Sequence, residues 1–210
     1  LAKVRVRQHV NPLSQKYQAP ITPPEWEKVY AALMPLHLDI GCARGNFLMK
    51  MADLQPDWNF LGVEIREPLV KEANAQREQL RLRNLHYLFC NINNSLSGLL
   101  KSFPRGTLQR VSIQFPDPWF KNRHTKRRVV QLELIETLAT YLASEGEVFL
   151  QSDVEEVAVE MRHRFDSHPA FQKHGNDAWL ATNPMPVPTE REIYTLERGE
   201  PVYRVLFKKI

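Results

Sequence analysis

Leu38-Asp39-Ile40-Gly41-Cys42-Ala43-Arg44-Gly45 is an apolar strand end that runs through a glycine turn into a helix with Phe47, Leu48 and Met51 on one side. Glycines at such a junction let a ligand approach the backbone and let the helix N-terminus face it. Outward from this turn, strands and helices alternate. The apolar spacing predicts strands over Leu36–Ile40, Asn59–Ile65, Leu85–Asn91, Gln109–Phe115 and Glu147–Gln151. Helices are predicted over Arg44–Leu54, Pro68–Leu82, Ser95–Phe103 and Arg128–Leu142. A short helix precedes them over Glu25–Met34, and another follows Asp153 as its N-cap, with Val154, Val157, Ala158, Met161 and Phe165 inward. Strict alternation of this kind predicts an α/β, Rossmann-like fold: a doubly wound, mostly parallel sheet with helices on both faces. The end departs from it, with a rigid proline link over residues 183–188 and a final strand over Val202–Phe207, expected to be antiparallel.

Three strand ends carry the candidate binding residues. Asp39 lies just before Gly41; Glu64 ends the second strand, nineteen residues after Gly45; Asn91 ends the third. An acid at the second strand end suits ribose hydroxyls, and an amide at the third suits an adenine edge. Ala43 stands where a dinucleotide fingerprint needs its middle glycine, so a pyrophosphate would be poorly cradled. An acid before the first glycine suits a cationic ligand. Asp39 therefore fits the ammonium and sulfonium of S-adenosylmethionine better than the anionic bridge of NAD.

The fourth strand runs out into Phe115-Pro116-Asp117-Pro118-Trp119-Phe120-Lys121. Two prolines stiffen the chain around Asp117, and two aromatic rings stand beside that acid. Lys121, Arg123, Lys126, Arg127 and Arg128 follow within eight residues. An acceptor, stacking faces and adjacent cations suit a nucleobase on a phosphate chain. A proline-rich loop around a core tryptophan explains the first part equally well.

The 210 residues, 43% hydrophobic and 25% charged, suit one globular domain with a substantial core. No apolar run approaches the roughly 20 residues needed to span a bilayer, so no membrane role is expected. Cys42 and Cys90 read as buried thiols rather than a disulfide or zinc site, and the histidines show no metal spacing. Net charge is +4, and residues 1–24 hold Lys3, Arg5, Arg7 and Lys16 without an acid. The expected organisation is a basic arm over residues 1–24 on a formally neutral domain over 25–210, with a polyanion as partner.

On the Asp39–Gly45 loop, Gly62-Val63-Glu64, Asn91, Phe115-Pro116-Asp117-Pro118-Trp119, Lys121, Asp153 and Thr189-Glu190-Arg191-Glu192, the chain resembles the bacterial tRNA (guanine-N7)-methyltransferases. The resemblance runs from Arg7 to Lys209 and rests chiefly on Pro-Asp-Pro-Trp with the late Thr-x-x-Glu. It implies a class I methyltransferase fold, S-adenosylmethionine as donor, no metal, and tRNA as substrate, methylated at the variable-loop guanine of position 46. It also implies a cytoplasmic monomer or homodimer. Donor contacts fall on Asp39, Gly41, Glu64, Asn91 and Asp117, with Asp117 the catalytic candidate. Substrate contacts fall on Lys121, Asp153, Thr189, Glu190, Arg191 and Glu192. The chain departs from the family where Asp39 replaces a frequent glutamate, Ala43 a glycine and Arg191 an aromatic. The residues leave other roles open: Asp153 as a helix N-cap, and Thr189 with Glu192 as a capping box. A catalytically inactive RNA-binding protein on the same fold is the alternative.

Overall fold

The computed structural model describes residues 10–210, so Lys3, Arg5 and Arg7 of the basic arm lie outside the described residues. The elements are α1 (Trp26–Val29), β1 (Leu36–Ile40), α2 (Asn46–Leu54), β2 (Asn59–Glu64), α3 (Glu67–Gln79), β3 (Leu85–Phe89) and α4 (Ile92–Lys101), followed by β4 (Leu108–Gln114). Then come α5 (Leu132–Tyr141), β5 (Glu147–Ser152), α6 (Glu155–Asp166), β6 (Phe171–Lys173), α7 (Glu190–Glu197) and β7 (Tyr203–Lys209), with 3-10 turns at Gln15–Tyr17 and Asn122–Arg127. The seven strands form one sheet in the order β3-β2-β1-β4-β5-β7-β6. The first five are parallel, and β7 is antiparallel to both β5 and β6. The α/β expectation holds, including the antiparallel end.

Helices cover both faces. On one, Leu96 and Leu99 of α4, Leu134 and Leu138 of α5, and Met161 and Phe165 of α6 pack on Leu38, Ile40, Val111 and Ile113. On the other, Phe47 and Met51 of α2 with Val70 and Ala73 of α3 pack on Phe60, Leu85 and Tyr87. The strand order turns back between β1 and β4, where parallel sheets open a crevice beyond their carboxyl ends. Asp39, Glu64 and the loop after Gln114 all reach that crevice.

Several boundaries differ from the sequence expectation. The first helix is one turn, Trp26–Val29, ended by the extended backbone of Tyr30; Trp26 anchors it by stacking on Phe103 at 4.2 Å and donating from Nε1 to Ser102 Oγ at 2.8 Å. The long helix begins at Leu132, not Arg128, because Arg128 is drawn out of helical register by other partners described below. Asp153 is not the cap of α6: Val154 holds that position, and its N–H donates to Ser152 Oγ at 3.1 Å. β6 and α7 had no assigned place in the alternating pattern.

The described part of the arm lies on the body. Tyr17 sets its ring edge-on to Phe89 at 6.3 Å, Asn94 Nδ2 donates to the carbonyls of Tyr17 and Gln18, and Ile21 N–H donates to Ser95 Oγ. Residues 10–24 are thus held along the start of α4.

Candidate active site

Two cavities adjoin at the crevice and share a wall of Gly41, Arg66, Gln114, Phe115, Pro116 and Asp117. The first continues past Glu64, Ile65, Asn91 and Ile92 to Val10 and Pro12 of the arm. The second is also lined by Asp39, Asn46, Asp153 and Thr189–Arg191. Asp117 therefore stands where a ligand in one cavity meets a ligand in the other.

The glycine turn divides its work. Gly41 has φ +84°, and a Cβ there would meet nothing within 4 Å, so the backbone borders open cavity. Gly45 is also left-handed, but its constraint is packing: a Cβ would lie 2.5 Å from the ring of Tyr87, whose hydroxyl donates to the Gly45 carbonyl at 2.7 Å. Ala43, at the place of the absent glycine, adopts φ +50°, a region costly for a residue with a side chain. Its N–H donates to Glu64 Oε2 at 3.1 Å, which ties the turn to the β2 end.

Asp39 is buried and accepts at Oδ1 from Ser112 Oγ at 2.6 Å and from Gln114 Nε2 at 3.3 Å. Both bonds fall on Oδ1, and Asp39 lines the second cavity. Burial raises its pKa to about 6, opposed by the two hydrogen bonds and assisted by the charge of Glu64. The Ser112 proton is committed to Asp39, so His37 Nε2, 2.8 Å from Ser112 Oγ, must donate to it. Burial also holds His37 well below the usual histidine range, in agreement with a neutral Nε2–H tautomer.

Glu64 is buried with a dense set of partners. Its carboxylate accepts from the N–H and Nε of Arg66 at Oε1 and from Arg66 Nη2 at Oε2, each at 2.9 Å. A diol at this carboxylate would have to share it with Arg66. Asn91 lies just past β3 as the N-cap of α4: Oδ1 accepts from Asn93 N–H, and Nδ2 donates to the Pro12 carbonyl at 3.0 Å. It lines the first cavity with its side-chain groups already engaged.

The Pro-Asp-Pro corner sits between two left-handed aromatics, Phe115 at φ +50° and Trp119 at φ +44°. Residues held there are strained, and such strain persists only where the surroundings hold it in place. Trp119 is half-buried, with the guanidinium of Arg127 4.9 Å from its ring centroid and His124 edge-on at 5.7 Å. Phe120 is 67% exposed on the rim of the second cavity. Arg128 departs from the expected phosphate-facing run. It is buried, donates from Nε to the Pro118 carbonyl at 2.8 Å and from Nη2 to Glu156 at 2.6 Å, and also pairs with Glu160. Lys121, Arg123 and Lys126 are exposed.

The residues expected at the substrate separate into three groups. Asp153, Thr189, Glu190 and Arg191 gather at the second cavity, where Arg191 Nε donates to Asp153 Oδ2 at 2.9 Å. Glu190 accepts from Asn46 Nδ2 at 2.9 Å, which joins α7 to the start of α2. Lys121 stands exposed at the start of the 3-10 turn, outside the cavity linings. Glu192 is 1% exposed and points inward. Thr189 Oγ1 does cap α7 by accepting from Glu192 N–H at 3.1 Å, but the Glu192 side chain does not return the bond. It accepts instead from Arg204, Gln151 and Asn183, because a buried carboxylate must be paired.

Sequence reasoning missed Arg66, Ser112, Gln114, Gln151 and Arg204. For the last four the available signal was a polar residue within the otherwise apolar strands β4, β5 and β7, whereas Arg66 lies in the turn after β2 and carried none. The two cysteines are free and buried, and burial raises Cys42 and pushes Cys90 up to about 12, which keeps both as thiols.

Residues 34–205 match a family model described as "Putative methyltransferase". A protein of Trichormus variabilis named tRNA (guanine-N(7)-)-methyltransferase is 67% identical over 208 residues, spanning 99% of this chain and 97% of that one. Its namesake in Microcystis aeruginosa is 59% identical over 99% of each chain. Among solved structures, a SAM dependent methyltransferase from Aquifex aeolicus aligns with TM-score 0.57 at 13% identity over 85% of each chain. Precorrin-6y C5,15-methyltransferase from Geobacter metallireducens aligns with TM-score 0.55 at 15% identity, over 84% of this chain and 80% of that one. At such identities the two structures speak to the fold.

Proposed function

The chain belongs to the tRNA (guanine-N(7)-)-methyltransferase family, and from that membership we propose that it transfers a methyl group from S-adenosylmethionine to N7 of the variable-loop guanine, position 46, of tRNA. The observation that carries this reading is the place of Asp117, in the wall common to both cavities.

The cavity residues suit the donor. Gly41 presents bare backbone, the Asp39 carboxylate offers a negative charge to an ammonium, and Glu64 with Asn91 borders the adenosine side. A ribose bound there shares the Glu64 carboxylate with Arg66. Bound there, the donor supplies an electrophilic methyl group on a sulfonium.

Guanine N7 carries an in-plane lone pair and no proton, so no general base is required to make it nucleophilic. The chain's task is alignment and charge stabilisation. Asp117 accepts from the N1–H and the exocyclic amine of guanine, which turns the opposite edge, with N7, toward the donor. Its charge attracts the purine more strongly as positive charge builds there, so it favours the transition state over the ground state. The strained Phe115 and Trp119 and the Arg128 clamp on Pro118 keep Asp117 in place. Exposed Lys121, Arg123 and Lys126 meet the phosphates, and Asp153 with Thr189–Arg191 borders the base.

The test is to incubate the protein with a tRNA transcript and methyl-labelled donor, then treat the RNA with borohydride and aniline. Cleavage confined to the variable-loop guanine is the expected result. Label without cleavage there would overturn the assignment.

A further inference from the structure

A row of buried polar side chains crosses the carboxyl ends of the strands and joins the two sides of the second cavity. Asp39 Oδ1 accepts from Gln114 Nε2 at 3.3 Å; Gln114 Oε1 accepts from Gln151 Nε2 at 2.8 Å; Gln151 Nε2 also donates to Glu192 Oε2 at 3.2 Å. The row follows the sheet register, since Gln114 pairs with Gln151 and Gln151 with Arg204. Arg204 closes it by donating to Glu192 Oε1 from Nε at 3.1 Å and from Nη2 at 2.7 Å. One end is a carboxylate on the donor side. The other is a carboxylate in the first turn of α7, directly after the Thr189–Arg191 segment.

Each amide in this row has one way round. Gln151 Nε2 serves two acceptors, so its Oε1 is buried without a partner. Flipping Gln151 would turn Oε1 on the Glu192 carboxylate, and flipping Gln114 would turn Oε1 on Asp39. The row thereby holds a fixed polarity between the two carboxylates. The loosest bond is the one at Asp39, which is also the carboxylate a donor cation would touch.

We propose that Gln114 and Gln151 are positioning residues that couple Asp39 to the first turn of α7, so that occupation of the donor site sets the placement of the substrate-facing segment. Donor and RNA then bind with linked affinities, each raising the other by the same factor. The mutual effect on RNA rests on the function proposed above, whereas the response of α7 to the donor site does not.

Hydrogen–deuterium exchange of α7, with S-adenosylhomocysteine as probe and its binding followed by calorimetry, tests the coupling. In the wild type, saturating probe should slow exchange across Glu190–Glu197 by roughly 5-fold or more, within the usual range of such couplings. In Gln151→Leu the probe should still bind but leave α7 exchange unchanged. Gln114→Met, which also alters the cavity wall, should lose the α7 response even at a probe concentration that calorimetry shows to be saturating, and serves if the first variant does not fold. Asn46→Ala, which removes the exposed bond to Glu190, should keep the response. No response in the wild type, an equal response in Gln151→Leu and Gln114→Met, or loss only in Asn46→Ala would each overturn the proposal. A second readout compares tRNA affinity with and without the probe, and the ratio should fall toward one in the glutamine variants. If α7 responds and no tRNA binds, the coupling stands and the proposed function fails.

Discussion

The carbonyl of Pro118 accepts a 2.8 Å hydrogen bond from Nε of Arg128, whose guanidinium is otherwise held by Glu156 and Glu160 of α6. This bond ties the far side of the Asp117 corner to a helix packed on the sheet. It also removes Arg128 from the cations available to a phosphate chain, although it ends the most basic run in the sequence.

Arg128→Ala should therefore act on stability and geometry. It removes the buried guanidinium from the Pro118 carbonyl and releases the corner, at a cost of roughly 1–3 kcal/mol, because Glu160 keeps its pair with Arg164 and Glu156 is mostly exposed. The salt dependence of tRNA binding should match the wild type. Lys126→Ala should do the reverse, leaving the melting temperature in place and lowering the log–log salt slope by about 0.7–0.9. Urea unfolding and filter binding at several salt concentrations separate the two outcomes.

Asp39 makes a pH-dependent trade. Its pKa is raised in the folded protein from 3.8 to about 6, so the native state holds the proton more tightly than the unfolded chain. The penalty for ionising it is complete above about pH 6 and absent below about pH 4. Asp39→Asn should stabilise the protein at pH 7.5, by up to about 3 kcal/mol if the whole shift is recovered, and give no gain near pH 4. The same variant should bind the donor poorly, and wild-type donor affinity should decline as pH falls through about 6. Calorimetric melting at both pH values, with donor titration above and below pH 6, measures each part.

Much of the fold was legible because apolar periodicity sets the β1–β5 alternation, and the crevice follows from where strand order reverses. Asp39, Glu64, Asn91 and Asp117 were legible as strand-end or corner residues. The rest depended on contacts distant in sequence. Asp153 looks like a helix cap from its neighbours, yet Arg191 claims it across 38 residues. Glu192 looks like a surface capping-box residue until Arg204 of β7 and Gln151 of β5 bury it. The short β6 lacks a periodic signal of its own and exists because β7 offers it an edge.

Glu64→Ala should weaken donor binding by roughly 1.5–3 kcal/mol, the scale of lost hydrogen bonds to a charged group, and leave tRNA affinity nearly intact. Calorimetric titration with S-adenosylhomocysteine reads the first effect and filter binding the second. Unaltered affinity for S-adenosylhomocysteine would remove Glu64 from the donor site.

In the proposed reaction Asp117 grips one edge of guanine and leaves N7 to the donor. Asp117→Asn should still bind both ligands, because the amide keeps an oxygen acceptor. It should lose on the order of 10²–10³ in rate, as when one preorganised electrostatic partner is removed. The most direct measurement is single-turnover methyl transfer to a tRNA carrying 7-deazaguanosine at position 46. Binding should match the unmodified tRNA, since the gripped edge is unchanged, and methyl transfer should be absent. Transfer to the deaza substrate at the normal rate would rule out N7 and move the chemistry to another atom.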